Sequence, residues 1–349
     1  MRLATFPHIA NYYIPINMFV NNALKLKTLI PPPITKKTLE LGSKHSPDFI
    51  CAPFKYNLGN FIEALNNGAN LIIQASGGCR FGHYGELQEQ ILRDLGYKFD
   101  FLFIDRDIKQ ILKECKRLKV KINIFRITYY FLLTLQMVKK IDKFEDYLRS
   151  NVGFEKNINS MDKIQKEFLK NLENVKTFRK LNDVFKDHYQ KLLQVELNKP
   201  KNVLRVGIVG ELYTIQDEFT NHYLERELAK NGVEIKRFIT VDYLFNRHPK
   251  IQKKKYKNYV TSPMGATGLD SIANSLELIE DGYDGIIHVK SFGCTPEINA
   301  MPSLQNIARD YNIPFIYFSF DTTTSETGVK TRLEAFYDML KMRRDNKDE

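Results

Sequence analysis

Apolar residues recur along this chain with two different periods, and the change from one to the other marks its organisation. Over the first hundred residues, short β-rich runs alternate with amphipathic stretches. Leu3–Phe6, Lys27–Ile30, Asp48–Ala52, Asn70–Gln74 and Phe99–Ile104 predict strands. Tyr13–Leu24, Thr38–Ser43, Leu58–Asn66 and Tyr84–Leu95 predict helices between them. Strands alternating with helices in this way build a parallel sheet covered by helices. Gly96 supplies the left-handed residue that closes the last of these helices. Pro31-Pro32-Pro33 ends the second strand, because proline has no N–H to give to a ladder.

From about Asp107 to Lys199 the pattern lengthens into Leu/Ile/Phe-spaced, Lys-rich segments with a single glycine, Gly153, and no proline before Pro200. That spacing predicts several helices and no sheet. The run Val203–Val209 restarts the strand pattern, followed by strands at Val233–Ile239, Gly285–Val289 and Pro314–Ser319. Helices are expected at Glu218–Asn231, Leu269–Asp281, Ile298–Tyr311 and Val329–Met342. The fold class is therefore α/β, with two Rossmann-like (flavodoxin-like) parallel-sheet domains joined by a helical segment. The expected boundaries are 1–106 for the first domain, 107–200 for the helices and 201–349 for the second domain. Lys253-Lys254-Lys255 reads as a short, solubilising basic loop.

At 349 residues the chain exceeds one ordinary core, which agrees with two domains. Hydrophobic residues make up 43% and charged residues 27%, a globular balance, and no stretch reaches the roughly 20 apolar residues of a membrane span. The start, Met1 to His8, has no apolar run with a small-residue cleavage site, so a cytoplasmic address is expected, with no membrane partner. Net charge is +11, but residues 101–200 alone carry 22 Lys+Arg against 13 Asp+Glu, a difference of +9. The excess sits in the helical segment without a nucleic-acid motif, so no nucleic-acid partner is expected. A solvated helical face explains it, and attraction to an acidic partner is the functional counterpart.

The four cysteines carry the candidate chemistry. In a reducing compartment they are thiols, ligands or nucleophiles, not structural disulfides. Cys51 ends the expected strand Asp48–Ala52, Cys79 lies in the turn Ala75–Gly82, and Cys294 lies in the turn Ser291–Glu297. In open parallel sheets ligands bind beyond the carboxyl ends of the strands, where helix N-termini converge. An iron cluster needs thiolates there, and Gly78 and Gly293 let the backbone approach a bulky inorganic core. Three protein thiolates leave one iron of a four-iron cluster open to an oxygen ligand. A buried, packing role for each cysteine and a zinc site are the competing readings. Cys115 shares a helical stripe with Ile108, Ile111 and Leu112 and reads as packing.

Taken together and in order, several stretches resemble the D-component family of 2-hydroxyacyl-CoA dehydratases, which also contains benzoyl-CoA reductase subunits. They are Phe6-Pro7-His8, Pro31 to Gly42, Cys51-Ala52-Pro53-Phe54-Lys55, Gly78-Cys79-Arg80-Phe81-Gly82-His83-Tyr84, Val209-Gly210-Glu211, Ser291 to Glu297 and Asp321 to Phe336. The resemblance covers nearly the whole chain and is nearest to the CoA-protein-activase-like subgroup. It implies a 4Fe-4S cluster on Cys51, Cys79 and Cys294. It also implies a separate ATP-hydrolysing iron-sulfur activator that delivers one low-potential electron, and a homodimer or related second subunit. The turn Ala75-Ser76-Gly77-Gly78 is shorter than the family's glycine-rich version, and Thr322-Thr323-Thr324 replaces a stretch where the family often has histidine. Both departures bear on the substrate.

The chemistry so implied is a one-electron, ketyl-radical dehydration or reduction of an acyl-CoA-type substrate, since the C3 proton of a 2-hydroxyacyl thioester is too weakly acidic for ordinary elimination. Glu211, Glu297, Asp321, Ser325 and Glu326 are candidates for positioning and catalysis, each equally a helix cap or first-turn acid. Lys55 and Arg80, with Gly78 and Gly293, are candidates for the cofactor's surroundings, and His83 and His8 for proton donation. Two other classes remain open: an electron-transfer or maturation partner with no substrate of its own, and a zinc-dependent lyase or hydrolase.

Overall fold

The computed structural model describes residues 2–104, 108–245, 256–260 and 264–348. It divides into two units, residues 1–140 with 167–187 and residues 141–166 with 188–349. Lys253 to Lys255 lie outside the described residues. The first unit holds four parallel strands, β1 (Leu3–Thr5), β2 (Lys27–Thr28), β3 (Leu71–Ala75) and β4 (Asp100–Ile104), in the order β2-β1-β3-β4. The second repeats that arrangement with β5 (Leu204–Gly210), β6 (Val233–Arg237), β7 (Gly285–Ser291) and β8 (Phe315–Phe320), in the order β6-β5-β7-β8. In each sheet the order reverses after the first strand. A crevice therefore opens beyond the carboxyl ends of β1 and β3, and of β5 and β7.

Alternation along the strands explains the layers of the first unit. Leu71, Ile73 and Leu102 face a core built with α1 (Tyr13–Asn22) and α5 (Ile108–Arg117), to which Val20, Leu24, Cys115 and Leu118 contribute. Ile72, Phe99 and Phe101 face the opposite core, with Phe54, Leu58, Phe61 and Ile62 of α3 (Ala52–Asn66) and Tyr84 and Leu92 of α4 (Tyr84–Asp94). Outside α3 lies α2 (Lys36–His45), and the two cross with their backbones in contact. A Cβ on Gly59 would stand 1.9 Å from the Thr38 carbonyl oxygen, and one on Gly42 would stand 1.7 Å from that of Lys55. No side chain fits at either position.

The Lys-rich segment forms α5, α6 (Ile124–Asn151), α7 (Ser160–Leu172) and α8 (Phe178–Leu193). The division between the two units falls within α6, α7 and α8. The first turns of α6 leave Ile124, Phe125, Phe131 and Leu132 exposed. In the second unit, Val206, Ile208, Ile287, Val289, Phe318 and Phe320 meet Leu224 and Leu228 of α10 (Leu224–Lys230) and Val329, Leu333, Phe336 and Leu340 of α14 (Glu326–Asp348). Beside this core, α12 (Gly268–Glu280) and α13 (Thr295–Asp310) pack through Ile272, Leu276, Ala300, Leu304 and Ile307. Two further short α-helices among the described residues are α9 (Leu212–Gln216) and α11 (Val241–Phe245). No helix among the described residues is long and apolar enough to cross a membrane.

Several expectations need correction. Asp48–Ala52 is not a strand: residues 48–50 form a turn, Phe49 is 86% exposed, and Ala52-Pro53 opens α3 instead. Proline in the first helical turn loses no hydrogen bond and has its φ preset, so the helix starts there in preference to extending a short strand. The helix expected over Glu218–Asn231 contracts to Leu224–Lys230. Asp217 Oδ1 accepts the Thr220 N–H at 3.1 Å and Asn221 Oδ1 the Leu224 N–H at 3.2 Å, a local alternative to helical bonding. Leu112 is 47% exposed and lies off the buried stripe that holds Cys115 and Ile111.

Candidate functional site

Cys79 follows β3 at the crevice of the first unit and caps the 3-10 turn Arg80–His83, its sulfur accepting the Phe81 N–H at 3.5 Å. It is exposed. Gly77 makes this turn possible, because a Cβ there would come within 2.9 Å of the Phe81 ring. Cys51 reaches the same edge by another route. It is the N-cap of α3, which runs back toward the start of β3, so the helix begins where the strand ends. The Cys51 Sγ lies 2.5 Å from the hydroxyl of Tyr84, the first residue of α4. The Tyr84 ring packs edge-on against Phe54 at 4.9 Å and tilted against Phe81 at 5.3 Å. Tyr84 therefore meets the Cys51 sulfur directly and, through Phe81, adjoins the Cys79 sulfur.

In the second unit Cys294 occupies the place that Cys79 has in the first: it follows β7, the third strand, and caps α13. Pro296 lies in the first turn, and the Cys294 carbonyl accepts the Ile298 N–H at 2.9 Å. Beneath it, every residue of β7 is buried, including the polar His288, Lys290 and Ser291. His288 Nε2 stands 2.8 Å from Glu297 Oε2, and Glu297 accepts hydrogen bonds from Thr267 Oγ1 at 2.5 Å and Ser271 Oγ at 2.9 Å. The Lys290 Nζ donates to Ser319 Oγ at 2.6 Å. Burial pulls its ammonium below the ordinary range, and the proximity of Cys294 and Glu297 opposes that pull.

No disulfide joins any of the four cysteines. Among the described residues, no group of three or more His, Cys, Asp or Glu side chains is gathered so as to hold a metal ion. The donors themselves suit an iron-sulfur cluster. They are soft thiols at the positive starts of helices or turns, where backbone N–H groups favour an anionic sulfur.

The model of the 2-hydroxyglutaryl-CoA dehydratase D-component family matches residues 33–340. The chain belongs to that family. No curated protein sequence matches it. The two parallel α/β units and the family assignment agree with the resemblance carried by the cysteine turns.

Several of the positioning candidates act locally as caps. Glu211 caps α9, accepting the N–H groups of Tyr213 at 2.7 Å and Thr214 at 3.0 Å and the Thr214 hydroxyl at 2.6 Å; burial pushes its carboxyl above the usual range against these bonds. Ser325 caps the start of α14 through the Gly328 N–H at 3.3 Å. Glu326 pairs with Lys330 at 2.9 Å, which holds its carboxyl below the usual range. Asp321 accepts the Thr323 N–H at 2.7 Å in a turn. Lys55 directs its Nζ to the Asp48 carbonyl at 3.3 Å. Gly78, Arg80 and His83 are exposed around Cys79, and Gly293 is half-buried beside Cys294. His8 stacks on Tyr13 at 5.6 Å, and burial lowers it to about 4.

Sequence reasoning missed Tyr84, His288 and Lys290. For the last two a signal exists, since they interrupt an otherwise apolar run in a strand enclosed on both faces. The reach of Tyr84 to Cys51, 33 residues away, has no counterpart in local periodicity.

Proposed function

We propose that this chain is a 2-hydroxyacyl-CoA dehydratase-like subunit that carries one 4Fe-4S cluster on Cys51, Cys79 and Cys294. The observation that carries the reading is the equivalent placement of Cys79 and Cys294, each capping a helix or turn after the third strand of a β2-β1-β3-β4-type sheet. Cys51 joins Cys79 through Tyr84 and Phe81. Bound there, the cluster supplies single electrons and an open Lewis-acid position for a substrate oxygen.

The chain's own residues then do the positioning. Cys51 and Cys294 stand at the N-cap positions of α3 and α13, at the positive ends of those helices, and Lys290 adds a buried cation near Cys294. The substrate is an acyl-CoA-type thioester that undergoes one-electron dehydration or reduction. The partners are an ATP-hydrolysing iron-sulfur activator and a second subunit, and the cytoplasm is the compartment. The test is substitution of each ligand: Cys51→Ser, Cys79→Ser or Cys294→Ser in anaerobic protein removes the cluster's visible absorbance and the one-electron signal that ATP and the activator generate. Retention of both signals in any of the three variants removes that cysteine from the ligand set.

A further inference from the structure

The hydroxyl of Tyr84 has no role in packing that its ring does not already fill. The ring is 5% exposed and held between Phe54, which is fully buried, and Phe81, both at aromatic contact distance. A phenylalanine would satisfy those contacts. A buried tyrosine keeps its O–H only where a polar partner meets it, and here the partner is the Cys51 sulfur, 2.5 Å away. The backbone of Cys51 is in turn tied to the start of α3, since the Phe54 N–H bonds back to the Cys51 carbonyl at 3.1 Å. The first residue of α4 thus touches the residue that caps α3.

We propose that Tyr84 is the positioning residue of this site: its hydroxyl holds the Cys51 sulfur in place in the empty protein and donates a hydrogen bond to it once a cluster is bound. The second half of the proposal rests on the reading of Cys51 as a cluster ligand. A hydrogen bond to a ligating sulfur stabilises the more negative, reduced state, so it raises the reduction potential. The ring contact with Phe81 extends the same influence toward Cys79, whose sulfur accepts the Phe81 N–H.

Tyr84→Phe separates the hydroxyl from the ring. In metal-free protein, the rate of Cys51 alkylation by iodoacetamide, followed by mass spectrometry, is expected to shift about fivefold from the wild-type value, the factor that one ordinary side-chain hydrogen bond is worth. Cys79 and Cys115 keep their wild-type rates, and the melting temperature holds. In anaerobically loaded protein the variant retains its iron and sulfide, and its midpoint potential moves to a more negative value. An unchanged Cys51 rate, or an unchanged potential with an intact cluster, overturns the proposal. So does a general rise at all three thiols with a lowered melting temperature, which assigns Tyr84 to packing alone. If the wild-type chain takes up no iron, the proposed function falls, while the alkylation comparison still decides the role of Tyr84.

Discussion

Replacing Glu297 by alanine isolates the network beneath Cys294. Glu297 and His288 are both 0% exposed, and Thr267 and Ser271, the other partners, are 5% and 0% exposed. The carboxyl group therefore ties together the cap of α12, its first turn, the start of α13 and the middle of β7. Truncation leaves an imidazole and two hydroxyls facing a dry cavity. Each buried group left without its partner costs about 1–3 kcal/mol, and partial relaxation of the hydroxyls keeps the sum near the 3–5 kcal/mol typical of a broken buried pair. Glu297→Gln keeps the volume and one acceptor oxygen and is expected to cost about 1–2 kcal/mol. Urea unfolding followed by circular dichroism reads the difference as a lowered midpoint at constant slope. An alanine variant within about 1 kcal/mol of wild type refutes the reasoning. A glutamine variant that is fully stable, keeps its cluster and has lost activity would instead place Glu297 in the chemistry.

Gly59→Ala drives a methyl into the Thr38 carbonyl, so α2 must lift from α3 at a cost of about 2–3 kcal/mol; a melting temperature equal to wild type contradicts that crossing. Asp217 is 7% exposed, and burial raises its carboxyl from 3.8 to about 6. Because the folded value is the higher one, its stabilisation is complete below pH 3.8 and is lost as pH rises through 6. Asp217→Asn escapes that loss, so its stability relative to wild type should improve by up to about 3 kcal/mol between pH 4 and pH 7, measured by urea unfolding at both. A pH-independent difference contradicts the raised carboxyl. Cys115→Ser should leave iron content unchanged, since Cys115 is buried among Leu24, Leu118 and Val120 of the first core; loss of iron would place it among the ligands.

Much of this fold is legible in the sequence because strand and helix periods differ and most elements keep one period throughout. The alternation of Leu71, Ile72 and Ile73 between two cores and the apolar runs of β5 and β7 are such signals. The misreading at Asp48–Ala52 has a specific cause. Phe49-Ile50-Cys51 has strand composition, but Pro53 two residues on favours a helix start, and only the packing of α3 against β3 decides between them. Cys51 consequently arrives at the sheet edge on a helix start, at the same edge that a strand end would have given it. The roles of the acidic residues were less legible. An acid before a helix is both a natural cap and a natural catalyst, and only distances such as those around Glu211 separate the two.

The central claim is that three thiols of this chain hold an iron-sulfur cluster, and the most direct measurement is the metal and sulfide content of protein purified without oxygen. The account predicts a brown protein with about four iron and four acid-labile sulfide per chain, and little of either after Cys51→Ser, Cys79→Ser or Cys294→Ser. Zinc in place of iron, with no sulfide, would contradict it.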